Sequence, residues 1–219
     1  MKAVVVAGGD AEEGDLGQLT DADLVIAADG GATWLDGAGR TPDLLVGDLD
    51  SAPPSLVERL AAAGVPIERH PAAKDATDAE LAVDRAVERG ADVVVVIGAL
   101  GGDRLDHELA NVLLVADPGL YGAVDDLRLV RGATIVRALG PRRTLVLDGG
   151  VGTLVSLLPI GGDAIGIGTS GLRFPLHGER LGFGRSRGAS NVVEAVPASV
   201  SLERGVLLVI EKTTEGEDQ

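Results

Sequence analysis

The chain has 219 residues, more than one average domain needs and about enough for two compact ones. Its 45% hydrophobic content supplies a sizeable core, but aromatics make up only 2%, so that core must be built from Ala, Val, Leu and Ile. A net charge of −15 argues against a nucleic-acid binder, no apolar run is long enough for a membrane span, and the lack of cysteine excludes disulfides, thiolate metal sites and a cysteine nucleophile.

An acidic protein still binds nucleotides where divalent cations lie between its carboxylates and the phosphates. Absence of disulfides fits a reducing compartment, and a cytoplasmic location is expected. The first apolar run, Ala3–Ala7, is too short for a signal peptide and is followed at once by Asp10, Glu12 and Glu13. It reads as a buried first strand. Further strands are expected at Leu24–Ala28, Leu44–Val46, Val65–Glu68 and Val93–Ile97. These runs are nearly continuous rather than alternating, as when helices cover both sheet faces. Ser55-x-x-Glu58 and Thr77-x-x-Glu80 look like capping boxes that open helices. Another helix is expected over Leu105–Ala116, with Leu105, Leu109, Val112, Leu113 and Ala116 on one face, stopped by Pro118-Gly119.

After about Leu139 the helical period disappears, and Gly and Pro punctuate short β-like runs. These are Thr144–Leu147, Thr153–Leu157, Ala164–Ile167, Val192–Ala195 and Val206–Ile210. The fold class is therefore α/β, with an open, mostly parallel α/β sheet domain over 1–138. A small antiparallel β-sandwich or barrel domain is expected over 139–219, with Leu127–Arg137 able to close either domain. The acidic tail Glu211–Gln219 is expected to fray.

Four acidic motifs fall at or just beyond the C-terminal ends of predicted strands: Asp29–Ala32, Gly47–Ser51, Lys74–Asp78 and Gly101–His107. In an open parallel sheet ligands bind beyond the carboxyl ends of the strands, so these loops are expected at one edge. Carboxylates crowded in this way repel unless a cation neutralises them, and Mg²⁺ shared with phosphate oxygens is the usual solution. Asp50 or Asp78 alone reads equally well as a turn former or cap; four aligned loops do not. Lys74 is the only one of three lysines within a motif, placed to pair a phosphate. Arg104, at a helix start after two glycines, suits an anion. His107 leans toward a structural hydrogen-bonding role. A P-loop, a zinc-binding H-E-x-x-H and a nucleophile elbow are all missing from the sequence, and Gly8-Gly9 is a weak dinucleotide signal.

As a set, these motifs resemble the thiamine pyrophosphokinase family. The matching strings are ADGGA at Ala28–Ala32, PDLLVGDLDS at Pro42–Ser51, KDATDAELAV at Lys74–Val83 and GALGGDRLDHELANVLL at Gly98–Leu114. The second half adds VSLLPI at Val155–Ile160, LRFPL at Leu172–Leu176 and SRGASN at Ser186–Asn191. Two positions depart from the family pattern. Thr33 stands where Asn commonly follows DGGA, and without Trp or Tyr in the second half any aromatic contact there falls to Phe174 or Phe183.

The resemblance implies an ATP-dependent pyrophosphokinase that moves a diphosphoryl group from ATP to the thiamine hydroxyl. It implies an ATP- and Mg²⁺-binding first domain, a thiamine-binding second domain, and a homodimer with the active site near the subunit interface. Metal ligands would be Asp29, Asp48, Asp50 and Asp78. ATP would be held by Asp29, Gly30, Gly31, Asp75, Thr77, Arg104, Asp106 and His107. Ser190 and Asn191 would hold thiamine, and Asp48, Asp78, Arg104 and Lys74 would carry catalysis. Two rival readings are a related pyrophosphokinase acting on another small alcohol, such as a hydroxymethylpterin, and a nucleotide- or thiamine-binding sensor without turnover.

Overall fold

In the computed structural model, which describes residues 1–214, the first six strands pair entirely in parallel. They are β1 (Lys2–Val6), β2 (Leu24–Ala28), β3 (Leu44–Gly47), β4 (Ile67–Arg69), β5 (Val93–Ile97) and β6 (Asp126–Arg131). Their order is β4-β3-β2-β1-β5-β6. The chain thus winds outward from β1 in one direction, then returns to start again at β5. The gap between β1 and β5 is the point at which such sheets bind ligands. β1 and β2 are buried almost throughout, which explains their unbroken apolar runs. Each buried valine contributes about 1.5–3 kcal/mol relative to an exposed one.

The helices between the strands are α1 (Gly31–Gly37), which carries Trp34, then α2 (Pro54–Ala62), α3 (Asp78–Glu88) and α4 (Leu105–Leu114). A 3₁₀ helix at Glu13–Leu19 and the short α5 (Pro118–Ala123) complete the set. α3 buries Ala79, Ala82, Val83 and Ala86, one stripe at helical spacing. Thr77 caps it, its Oγ1 accepting the Glu80 N–H at 3.1 Å. Ser55 plays no such part: α2 begins at Pro54 with Pro53 in the cap position and no side-chain cap. α4 ends at Leu114, and its leucine face is not a core face, since the helix buries none of its residues.

Two compact units result, one formed by Met1–Leu114 with Gly122–Gly132 and the other by Val115–Tyr121 with the chain from Ala133 onward. The second unit contains β7 (Thr134–Leu139), β8 (Arg143–Val146), β9 (Leu154–Ser170), β10 (His177–Leu181), β11 (Asn191–Val192), β12 (Ser199–Leu202) and β13 (Arg204–Lys212). All pairings there are antiparallel, in the order β7-β13-β9-β12-β8, with β10 and β11 also on β9. Two runs expected as separate strands are one 17-residue strand, β9, with Gly161 and Gly162 at positive φ inside it. Its core is aliphatic, with Val155, Leu157, Ile167, Val193, Val200 and Leu207 among the buried residues.

Glu211 belongs to β13 rather than to a frayed tail. It is 2% exposed and pairs with Arg137, and its Oε2 accepts the Gly149 N–H at 2.9 Å. The remainder of the expected tail, 215–219, lies outside the described residues.

Candidate active site

The loops beyond β1, β2, β3 and β5 and the segment before α3 line one cavity of about 490 Å³. A volume of this size admits a nucleotide-sized ligand. The cavity is lined by Asp29, Asp48, Asp50, Lys74, Thr77, Asp78, Arg104 and His107, together with Ser51, Glu108 and Asn111. Gly8, Gly9, Gly98, Gly101 and Gly102 supply its backbone walls. Gly30, Gly31, Asp75 and Asp106 are not part of the lining.

Asp29, Asp48 and Asp78 form its charged centre, each offering an oxygen within 4.8 Å of the others. Two features of the backbone make this convergence possible. Asp29 itself turns at φ 46°, in the left-handed region, which ends β2 and starts α1. Gly47 sits at φ 147°, and a Cβ there would lie 3.0 Å from Asp78 Oδ1 and 3.1 Å from the Asp29 Cβ. Only glycine lets β3 pass so close to both carboxylates. Gly31 has the same role a layer deeper, since its absent Cβ would meet the Val6 carbonyl oxygen at 1.9 Å.

Asp50 stands apart from this triad. Leu49 turns at φ 63° with its side chain buried, and Asp50 beyond it is exposed, accepting the Ser51 hydroxyl at 2.9 Å. The Ser51 N–H donates to Asp29 Oδ1 at 3.3 Å, so one serine touches two of the acidic residues. Burial pushes the Asp29 carboxyl above the usual range, an effect only partly offset by Ser51 and reinforced by the nearby charge of Asp78.

Lys74 Nζ lies 2.8 Å from Asp78 Oδ1 and 3.4 Å from Asp48 Oδ2. The Asp48 contact is a hydrogen bond and the Asp78 contact an ion pair, with the Asp78 Oδ1 itself buried. Burial acts to lower the Lys74 pKa, but Asp78 and Asp48 outweigh it and raise the ammonium above its ordinary value. Arg104 grips the neighbouring Asp106 with two nitrogens, at 2.9 and 2.6 Å. Both are exposed, the pairing raising the Arg104 pKa and holding the Asp106 carboxyl well below the usual carboxylate range. Asn111 donates to the Ala99 carbonyl at 3.0 Å and ties α4 to the loop after β5.

One group at this edge had no sequence signal. Asp10 Oδ2 accepts the Gly102 N–H at 3.1 Å, and Arg131, at the end of β6, reaches Asp10 at 3.6 Å and Glu12 at 3.5 Å. Arg131 also donates to the Leu100 carbonyl. It packs under Gly101, where a Cβ would lie 1.9 Å from its guanidinium. A basic residue at the end of a strand could be flagged only once the order of β5 and β6 was known.

In the second unit a smaller cavity of about 150 Å³ is lined by Leu157, Phe174, Arg187 and Asn191 among others. The Asn191 amide is engaged with backbone: Oδ1 accepts the Phe174 and Val192 N–H groups, and Nδ2 donates to the Phe174 carbonyl at 2.8 Å. Ser190 turns at φ 61°, and its N–H donates to Ser156 Oγ at 3.1 Å.

A doubly wound parallel sheet with a carboxylate cluster at the carboxyl ends of its strands defines an α/β enzyme built to hold a phosphorylated ligand. The sequence model of the thiamin pyrophosphokinase catalytic domain matches residues 17–120, and that of the thiamin pyrophosphokinase vitamin B1 binding domain matches residues 144–207. The thiamine pyrophosphokinase of Bacillus subtilis (strain 168) is 29% identical over 219 residues, 97% of this chain and 100% of that relative. The crystal structure of thiamine pyrophosphokinase from Bacillus subtilis superposes with a TM-score of 0.85 at 27% identity, covering 98% of this chain and 100% of that one. That of thiamin pyrophosphokinase from Geobacillus thermodenitrificans gives 0.81 at 26%, covering 99% of both. The chain belongs to the thiamine pyrophosphokinase family, and it is a transferase.

Proposed function

We propose that this chain transfers the diphosphoryl group of ATP to the hydroxyl of thiamine, giving thiamine diphosphate and AMP. The observation that carries this reading is the carboxylate triad lining a nucleotide-sized cavity within the segment that matches the family's catalytic domain. The relatives bear the name of thiamine enzymes, which favours thiamine over a hydroxymethylpterin, and the intact triad favours turnover over a sensor.

The donor set fits a magnesium ion. It comprises three hard carboxylates in mutual reach, and Asp78 carries a buried Oδ1 that no hydrogen bond reaches. Asp29, Asp48 and Asp78 would hold the ion, with exposed Asp50 outside the triad. Such an ion screens the phosphate charges and orients the group in transfer.

The chain's own residues do the rest. Arg104, on the cavity wall, neutralises charge on the phosphates, and Asp106 holds its guanidinium in place. Lys74 contributes a second positive charge. Thr77 fixes the start of α3 so that Asp78 enters the cavity from the first helical position. The thiamine hydroxyl oxygen attacks the β-phosphorus, and its proton passes to a carboxylate oxygen of Asp48 or Asp78. The new O–P bond forms as the bond from the β-phosphorus to the α,β-bridging oxygen breaks, and AMP departs with that oxygen. In such transfers positioning and electrostatics supply most of the acceleration.

The parallel-sheet unit is assigned to ATP and the β unit to thiamine, with Asn191 shaping the turn at Phe174 beside the smaller cavity. Working as a homodimer is supported by α4. Leu105, Leu109 and Leu113 recur every fourth residue along it and are 66, 53 and 54% exposed, an apolar stripe on the helix that also carries His107 and Glu108 into the cavity wall. Sedimentation of the wild-type chain and of Leu109→Asp tests this, with a single monomeric species for both ruling the dimer out.

Purified protein with ATP and Mg²⁺, with and without thiamine, provides the decisive assay. AMP release that requires thiamine and matches thiamine diphosphate formed is expected. AMP formation only with another alcohol would move the acceptor assignment, and none with any acceptor would leave the sensor reading.

A further inference from the structure

Three carboxylates converge in the cavity, and the ammonium among them is that of Lys74, on a side chain only 13% exposed. We propose that Lys74 is an exchangeable counter-ion: its ammonium stands within the Asp48–Asp78 pair until a divalent cation takes that place, and the cation's arrival releases Lys74 toward nucleotide phosphate. This inference rests on the reading of the triad as the metal site.

Geometry is the first support. The ammonium and a divalent cation draw on the same two carboxylates, since Asp48 and Asp78 belong to the triad and Lys74 approaches Oδ2 of the one and Oδ1 of the other. Two cations cannot share them closely, because like charges in a partly buried site repel strongly. The hold on Lys74 is also easily exchanged. Its ammonium is spread over two carboxylates, 2.8 Å from Asp78 Oδ1 and 3.4 Å from Asp48 Oδ2, rather than locked in a two-pronged fork on one.

The second support is what Lys74 is and where it is anchored. Lysine is a point charge on a flexible stem, able to move between carboxylate and phosphate without a fixed fork geometry. Its neighbours Ala72, Ala73 and Asp75 are exposed, so the backbone that carries it is not packed into the core. The other basic side chains lining the cavity among the described residues are Arg104 and His107. Arg104 is already paired with Asp106, outside the triad.

Cation and nucleotide binding are then coupled through one side chain. The cation alone must break the Lys74 pairs, whereas cation with nucleotide regains a pair between Lys74 and phosphate. Coupling of this kind is reciprocal between the two ligands.

Titration of Mn²⁺ alone, followed by electron paramagnetic resonance, separates this from a fixed role. Lys74→Gln is expected to bind Mn²⁺ roughly tenfold more tightly than wild type without nucleotide, yet to bind Mg²⁺–ATP without thiamine roughly tenfold more weakly. Unchanged Mn²⁺ affinity in the variant, or unchanged ATP affinity, overturns the exchange. The wild-type chain gives a second readout should the variant fail to fold. It contains three lysines, Lys2, Lys74 and Lys212, that mass spectrometry can follow separately after brief acylation. Lys74 should acylate slowly without metal and several-fold faster with Mn²⁺, while Lys2 and Lys212 do not change. A Lys74 rate indifferent to Mn²⁺ sinks the idea. Wild-type protein that shows no Mn²⁺ binding sensitive to Asp48→Asn removes the metal reading and this inference together, while thiamine-dependent AMP release judges the activity separately.

Discussion

At the edge of the parallel sheet, Asp48 and Asp78 share one ammonium beside a third carboxylate, Asp29, whereas in the β unit Arg137 is enclosed by Glu211 and Asp148. The first arrangement leaves negative charge in excess and a buried oxygen without a donor. In the second, the carboxylate of Glu211 also accepts the Gly149 N–H, and its side chain is 2% exposed. One region sets three carboxylates and one ammonium around an open cavity, and the other encloses a single guanidinium between two carboxylates to fix β7 to β13, with the Arg137 Nε left unpartnered. The same residue types thus serve chemistry in one unit and architecture in the other, and what separates them is that the first cluster opens on a cavity while Arg137 and Glu211 are buried.

Substitutions can break that contrast. Asp48→Asn removes charge from the open cluster while leaving the side-chain volume, so kcat should fall by roughly 10³, about 4 kcal/mol of transition-state stabilisation. Its melting temperature should stay within a few degrees of wild type. Steady-state kinetics with a thermal melt read both, and turnover within tenfold of wild type would contradict the assignment. In the closed pair the balance reverses. Arg137→Met leaves Glu211 buried without its partner and should cost about 3–5 kcal/mol in urea unfolding, with kcat of the folded protein little altered. A loss below about 1 kcal/mol would show that the pair is solvated in practice.

Asn191→Ala sharpens the comparison from within the β unit. It deprives two backbone N–H groups of their acceptor and should destabilise by about 2–3 kcal/mol. The thiamine KM should rise while the ATP KM stays put; equal changes in both would detach the smaller cavity from thiamine. The smallest effect is expected from Thr77→Ala, which removes the cap of α3 at about 1 kcal/mol while Asp78 stays in place. A larger loss of kcat than of stability there would mean that Thr77 touches the substrate itself.

Much of the parallel sheet was legible because its strands are fully buried. Leu24–Ala28 and Val93–Ile97 read off the sequence to the residue, since an unbroken apolar run of that length bounded by polar turns suits a buried strand and little else. The triad followed from the strand ends, but Asp50 could not be separated from Asp48 without the left-handed turn at Leu49. The leucines of α4 were legible as one face but not as an exposed one, because an apolar stripe looks the same whether it faces the core or lies open. In the second unit β7 was legible only as a segment closing either domain, while β10 and β12 were missed. Their short runs mix charged and small residues, and pairing with β9 rather than local propensity makes them strands. Arg131 was invisible for a related reason, since its neighbours at Asp10 and Gly101 are set by strand order.

The near absence of aromatic residues gives the molecule an unusual optical property. Trp34 is the sole tryptophan and lies on α1, the helix that begins just past Asp29. Ultraviolet emission excited at the indole band therefore comes entirely from the parallel-sheet unit, from a helix that starts two residues after Asp29. The β unit, whose aromatic side chains are Tyr121, Phe174 and Phe183, is dark at that wavelength. A melt followed by tryptophan emission and by far-ultraviolet dichroism would thus use two observers, the first seeing half the molecule and the second all of it. Any gap between their midpoints would measure directly how independently the two units come apart.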